Sequence, residues 1–358
     1  MWPANKLTDQ LGIDVAIIQS PMAGAGTPAL SAAVSNAGGL GSLGLGTIAP
    51  DAAAAEISDH IQLSNRPLNA NFFCHDEPGD VSAGSEAMRG RIKEWFDDRE
   101  LGQVPAASVP YTTFGPAHLE MIQTLQPKVI SFHFGLPERP LYDAVRETGA
   151  TILCSATTVA EARWLESQGV DAIIAQGTEA GGHRGTFQNA DITAQPGLFA
   201  LLPQITAAVD LPVIAAGGIV DGRTIAAALI MGASAVQLGT AFLRCPETKI
   251  HPAHRKALAA ARDDGTRLTK LFSGKPARSL TNRYMETFVD AEAETAPYPA
   301  QISLAASLKQ ASPEADIGDV ASLWSGQSAA LTREMPAAEL LDLLVAETDQ
   351  VLNALAKR

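Results

Sequence analysis

Ala172-Ile-Ile-Ala-Gln-Gly-Thr-Glu-Ala-Gly-Gly-His-Arg-Gly185 opens as an apolar run and breaks into a glycine-rich loop carrying one histidine. Two β-branched isoleucines stopped by glycine read as a short strand ending in a loop. Similar runs recur at Val15–Met22, Leu40–Gly46, Leu68–Cys74, Val129–Gly135, Thr151–Ala156, Pro212–Gly218 and Ala235–Thr240, which makes eight predicted strands. Between most of them lie stretches such as Thr158–Ser167 and Asp221–Met231, whose apolar residues recur at three and four, the helical period. Repeated βα units imply a parallel sheet. Strand starts fall mostly 21 to 28 residues apart, with wider gaps before Val129 and Pro212. That spacing predicts an α/β fold, a (β/α)8 TIM barrel with insertions in its third and sixth connections. An open doubly wound sheet is the alternative.

After Thr240 the rhythm stops. Residues 1–245 are expected to form the barrel and residues 246–320, with His251, His254, Lys275-Pro-Ala-Arg278 and Tyr298-Pro299, a smaller, mainly helical lid. Residues 321–358 are expected to return to the barrel as C-terminal helices, since Leu340, Leu341, Leu343, Leu344 and Leu352 follow a helical spacing.

At 358 residues and 46% hydrophobic content the chain buries a large core, and a net charge of −13 argues against nucleic-acid or anionic-membrane partners. A small molecule is the expected partner, bound by a monomer or homodimer. Cys74, Cys154 and Cys245 lack metal-ligand spacing, so they read as buried thiols of a reducing compartment, and no metal is expected. Met1-Trp-Pro-Ala-Asn-Lys6 does not read as a secretory signal, and no run reaches the length of a membrane span. A cytoplasmic location is the expectation.

In such a barrel the active site lies at the C-terminal ends of the strands, often with a phosphate on the last two loops. Those loops are Ala215-Ala-Gly-Gly218 and Gln237-Leu-Gly-Thr240, where the bare amides of Gly217, Gly218 and Gly239 and the Thr240 hydroxyl suit a phosphorylated cofactor. Gly24-Ala-Gly26-Thr-Pro-Ala29 fits the dinucleotide fingerprint, but no acid follows the second strand to take a ribose hydroxyl. His183 and His133 each sit at the end of a strand and point to the same mouth. His183, beside bare amides, is the candidate base. His60, His75, His118, His251 and His254 read as surface residues, and Glu179, Arg184, Arg278 and Arg283 as solvated charges.

Taken together, Gln19-Ser-Pro-Met-Ala-Gly24, Asn69-Ala-Asn-Phe72, Ser131-Phe-His-Phe-Gly135, Gln176 to Gly185, Ala215 to Gly218 and Gln237 to Thr240 resemble the nitronate monooxygenase family, class I. The resemblance implies one FMN and the oxidation of alkyl nitronates, such as the toxic propionate 3-nitronate, by O2 to a carbonyl compound and nitrite. It places Met22, Ala23, Asn69, Gln176, Gly181, Gly218, Gln237, Leu238, Gly239 and Thr240 on the flavin and His183 as the catalytic base. Tyr111 and Tyr298 match substrate-pocket tyrosines. The pattern then departs. A tyrosine and a lysine usual in the lid are Ile302 and Ala306 here, from which smaller or more apolar nitronates are expected. A NADH-dependent flavin reductase (enoyl-acyl-carrier-protein or quinone reductase) of the same fold, and a flavin-binding module without turnover, are the alternatives.

Overall fold

The computed structural model describes residues 5–188 and 191–357, so the N-terminal Met1–Ala4 stretch used in the signal-peptide reading lies outside the described residues. Eleven strands occur among them: β1 (Ile17–Gln19), β2 (Gly41–Gly44), β3 (Leu68–Phe73), β4 (Val129–His133), β5 (Thr151–Ala156), β6 (Ala172–Gln176), β7 (Gly182–His183), β8 (Val213–Ala216), β9 (Ala235–Leu238), β10 (Thr266–Thr269) and β11 (Ala277–Leu280). Eight of these form one parallel sheet in the order β1-β9-β8-β6-β5-β4-β3-β2. A parallel bridge between Ile18 and Leu40 joins its two edges and closes the barrel. The eight predicted strands are the eight barrel strands, each within a few residues of its expected limits.

Alternation along each strand separates two cores. Ile173 and Ala175 of β6, Ala70 and Phe72 of β3, and Val236 and Leu238 of β9 face outward into the layer shared with the helices. Ile18, Val129, Leu153, Ile174, Ile214 and Ala235 face inward and pack with Leu7 and Leu11 of the helix Lys6–Leu11, which plugs the N-terminal end of the barrel. Above that layer the inward positions turn polar or aromatic: Asn71, Phe73, His133, Ser155, Gln176 and Gln237. The barrel is thus filled at one end and open at the other.

The helices begin where short polar residues can cap them. Thr27, Thr158 and Asp221 each accept a hydrogen bond from the first turn, and Gly169 ends a helix in the left-handed conformation. The long helix Ala337–Ala356 lies against Gly222–Ile230 and Pro28–Asn36, the place of the eighth barrel helix. Contact there is close enough that a Cβ on Gly222 would lie 2.4 Å from Glu347.

A second core lies over the open end. Met88, Ile92, Trp95 and Phe96, from the insertion after β3, pack with Phe272, Tyr284, Phe288, Leu304 and Leu308. The lid therefore draws on the third connection as well as on the segment after β9. Strands β10 and β11 pair antiparallel, and β11 pairs in turn with β7, placing Ala277 opposite His183. None of these three strands was predicted, because β7 has two residues and its partner lies about ninety positions away.

Candidate active site

Gln176 at the end of β6 ties down the loop that follows it. Its Nε2 donates to the His183 carbonyl at 3.0 Å, and its Oε1 accepts from the Gly185 amide at 2.8 Å. The Arg184 side chain, expected in solvent, is 1% exposed. It donates to the carbonyls of Gln176 and Gly177 at 2.7 and 2.6 Å and to Gln195 Oε1 at 2.9 Å. Only a forked guanidinium satisfies three acceptors in this way, which explains a buried arginine where a solvated one was expected. Arg278, also buried, donates to the Thr178 carbonyl. Glu179 likewise turns inward and accepts the Leu198 amide at the start of the helix Leu198–Thr206. Arg283 sits over the Trp95 ring.

His133 supports the same loop. Its Nε2 lies 3.2 Å from the His183 carbonyl, which can only accept, so Nε2 carries the proton and Nδ1 accepts from the Ser155 hydroxyl at 2.9 Å. Both ring nitrogens are thereby occupied. Burial holds its pKa down at about 4, although the bond to the His183 carbonyl works the other way.

The His183 ring is placed differently. Its Nε2 is 2.9 Å from Ser273 Oγ, whose own proton goes to the Lys275 carbonyl at 3.0 Å. Nε2 must then be the donor, and the Nδ1 lone pair has no partner among the described residues. Burial lowers the pKa to about 3, with His133 and Lys275 adding to the effect, so the ring is neutral at pH 7. Rings of Trp324, Tyr298, Phe134 and Phe73 surround it at centroid distances of 5.4, 5.7, 5.8 and 6.3 Å. Tyr298 and Tyr111 share a hydrogen bond of 2.8 Å between their hydroxyls, and burial pushes the Tyr111 phenol up to about 12.

Lys275 completes the enclosure. Its Nζ lies 4.8 Å from the Phe134 ring centre and 5.6 Å from that of Tyr298, and it has no ion pair among the described residues. Burial lowers its pKa, and Asp76 partly restores it. Ser273, Phe272 and Trp324 were not singled out from the sequence, and Lys275 was named only as part of the lid. They reach the histidine through β11 and the bridge between Ser279 and Trp324, pairings that leave no local periodicity.

One cavity of about 690 Å³ is lined by His183, His133, Ser273, Phe73, Phe272 and Trp324 of these groups, whereas Lys275, Phe134 and Tyr298 are not part of its lining. Of the sequence-predicted residues, Met22, Ala23, Tyr111, His133, Gln176, Gly181, His183, Gly217, Gly218, Gln237, Gly239 and Thr240 line it. Tyr298 closes it from within an aromatic cluster with Phe73 and Phe134. Two predicted residues lie elsewhere. Asn69 faces inward but is sealed in the layer below, where Asn71 takes its place at the cavity wall, and the Leu238 side chain belongs to the outer core. Asn69 lies two residues below the cavity wall on the same strand face, and Leu238, next to the cavity-lining Gln237, points to the opposite face.

The far end of the cavity suits a phosphate-bearing group. Gly217 and Gly218 take φ of 112° and 72°, a turn that L side chains rarely adopt, and line the cavity with backbone that no side chain covers. A Cβ on Gly181 would lie 2.5 Å from the Gly326 amide. That amide donates to Thr240 Oγ1 at 2.8 Å, leaving the threonine's proton for a ligand. Gln237 Oε1 is buried without a hydrogen-bond partner among the described residues, an acceptor waiting for a donor.

The model of the nitronate monooxygenase family matches residues 4–347. A nitronate monooxygenase of Pseudomonas aeruginosa is 44% identical over 96% of this chain and 99% of its own. The chain belongs to the nitronate monooxygenase family. It is therefore an oxidoreductase of that family and, as the closed sheet shows, a (β/α)8 barrel. A solved nitroalkane oxidase from Streptomyces ansochromogenes superposes with a TM-score of 0.86 at 39% identity, covering 98% of this chain and 99% of that one. FabK from Thermotoga maritima gives 0.77 at 30% identity, covering 99% of each. No helix among the described residues is long and apolar enough to cross a membrane, no cluster of side chains there has the makings of a metal site, and all three cysteines are free and buried.

Proposed function

We propose that this enzyme binds FMN at the glycine-lined end of the cavity and oxidises alkyl nitronates with O2 to carbonyl compounds and nitrite, in the cytoplasm. The observation that carries this reading is a neutral His183, its Nδ1 without a partner among the described residues, in the wall of a cavity whose far end is lined by Gly217, Gly218 and Gly239. Gly217, Gly218, Gly239 and Thr240 would hold the phosphate, and Gln237, Met22 and Ala23 the ring system. The flavin, when bound, supplies the electron acceptor for the nitronate and the donor for oxygen.

His183 supplies a base. A neutral imidazole with an unoccupied Nδ1 takes the α-proton of a neutral nitroalkane, while Nε2 stays fixed on Ser273. The same neutrality means that His183 brings no charge to an anionic nitronate. That role falls to Lys275, which lies against the Phe134 and Tyr298 rings behind the cavity lining and has no ion pair among the described residues. Phe73, Phe134, Tyr298 and Trp324 keep water out, which strengthens every electrostatic contact inside.

Oxygen uptake by the purified flavoprotein separates this reading from the alternative of an NADH-dependent flavin reductase on the same fold. Uptake with propyl nitronate accompanied by nitrite, and none with NADH, is the expected result. Bleaching of the flavin by NADH alone would transfer the protein to the reductases.

A further inference from the structure

Four residues of the helix Gln301–Ala311 line the cavity: Ile302, Ala305, Ala306 and Lys309. Their spacing of three, four and seven places them on one face of the helix. Ile302 packs against the Phe73, Phe134 and Tyr298 cluster around His183, while Lys309 at the other end is exposed. Seven residues of helix span about 10 Å, so the stripe runs from the histidine to the surface.

Every polar side chain of the helix that lies between those ends is turned away or bonded to its own backbone. Gln301 donates to the Leu271 carbonyl in the lid core, and Ser303 and Ser307 donate to the carbonyls of Ala300 and Leu304. Phe272 and Val320 line the same cavity from other parts of the lid, and both are buried. On this helix face the passage is apolar from Ile302 to Ala306, with only the methyl groups of Ala305 and Ala306 projecting from it before Lys309. That face offers no hydrogen bond to a short polar substrate, while polar groups such as His251, His254 and Ser322 line other walls of the cavity.

We infer that the substrate's carbon chain lies along this stripe, so that the enzyme prefers primary alkyl nitronates of about six carbons or more over ethyl or propyl nitronate and over short carboxylate-bearing nitronates. The inference rests on the nitronate-oxidising reading and refines the expectation of smaller or more apolar substrates: apolar is retained, smaller is not. Burial of each added methylene in such a passage is worth about three- to fourfold in affinity.

The test is kcat/KM of the holoenzyme for preformed ethyl, butyl, hexyl and octyl nitronates, read by oxygen uptake, alongside calorimetric binding of the unreactive carboxylates from acetate to octanoate. The expected result is a rise of about three- to fourfold per carbon that levels off once the chain reaches Lys309. Ala306→Trp, and the milder Ala306→Phe, should lower octyl nitronate turnover at least tenfold more than ethyl nitronate turnover. A flat or falling chain-length dependence in the unaltered enzyme would overturn the inference, as would equal losses at all chain lengths in both variants. If no nitronate is oxidised, the reaction reading fails separately. The carboxylate series then decides: affinity rising with length upholds the passage, and unchanged affinity removes it.

Discussion

The His183 carbonyl accepts from Gln176 and His133 while its ring makes a single bond to Ser273, so the groups that position this residue are distinct from the atom that reacts. Replacing His183 by Asn should spare oxidation of preformed nitronates within a few-fold and abolish, by about a hundredfold or more, turnover of neutral nitroalkanes. Nitrite release from the two substrate forms measures this, and equal rates on both before and after the change would rule out a base role. The pKa of about 3 has its own consequence. The base form persists well below pH 6.5, so turnover of a neutral nitroalkane should show no loss near that pH and should fall only as pH approaches 4 and below. Lys275→Met removes a positive neighbour, which raises the His183 pKa and moves the acid limb to higher pH. The same variant should raise KM for the anionic nitronate several-fold, and an unmoved limb with an unchanged KM would remove Lys275 from the site.

Among the elements, the loop from Gln176 to Gly185 depends most on one buried side chain. Arg184→Met would leave the carbonyls of Gln176 and Gly177 and the Gln195 amide oxygen without their donors in a sealed interior. A loss of about 3 kcal/mol or more is expected in urea unfolding, and Arg184→Lys should recover little of it because an ammonium cannot span the three acceptors. The strand from which this loop springs was readable from the apolar run Ala172–Ala175 and its glycine stop, as were the other seven barrel strands, because a doubly covered parallel strand writes itself as a local pattern. The pairing of His183 with Ala277 was not readable in this way. A two-residue strand has no period, and its partner is chosen by the closure of the lid over the barrel. Ser273 and Trp324 stayed hidden for the same reason. The histidines show the complementary failure: His60 and His254, expected on the surface, are buried against Ser31 and Ser325, and nothing near them in the chain says which helix face turns inward.

Over the whole molecule, six of the seven histidines have pKa values lowered by burial, among them His133 and His254 to about 4 and His183 to about 3. These rings are buried on the inner faces of helices, after β3 or at the cavity wall, and they are neutral in the native state. In the unfolded chain they take up protons near pH 6.5, so between that pH and their native values the unfolded state binds more protons. Stability then falls as pH drops, with each histidine that stays neutral adding up to about 1.4 kcal/mol per unit of pH. Urea unfolding of the flavoprotein at pH 7 and pH 5 should therefore show a loss larger than one titrating group can give. His254→Gln tests the assignment at a ring distant in sequence from His183, because it bonds Ser325 and glutamine can retain a polar contact there without a proton to gain. The variant should cost some stability at pH 7 and show a smaller difference between the two pH values. An unchanged difference would mean that His254 takes up as many protons in the native state as in the unfolded chain, and that its pKa is not lowered by burial.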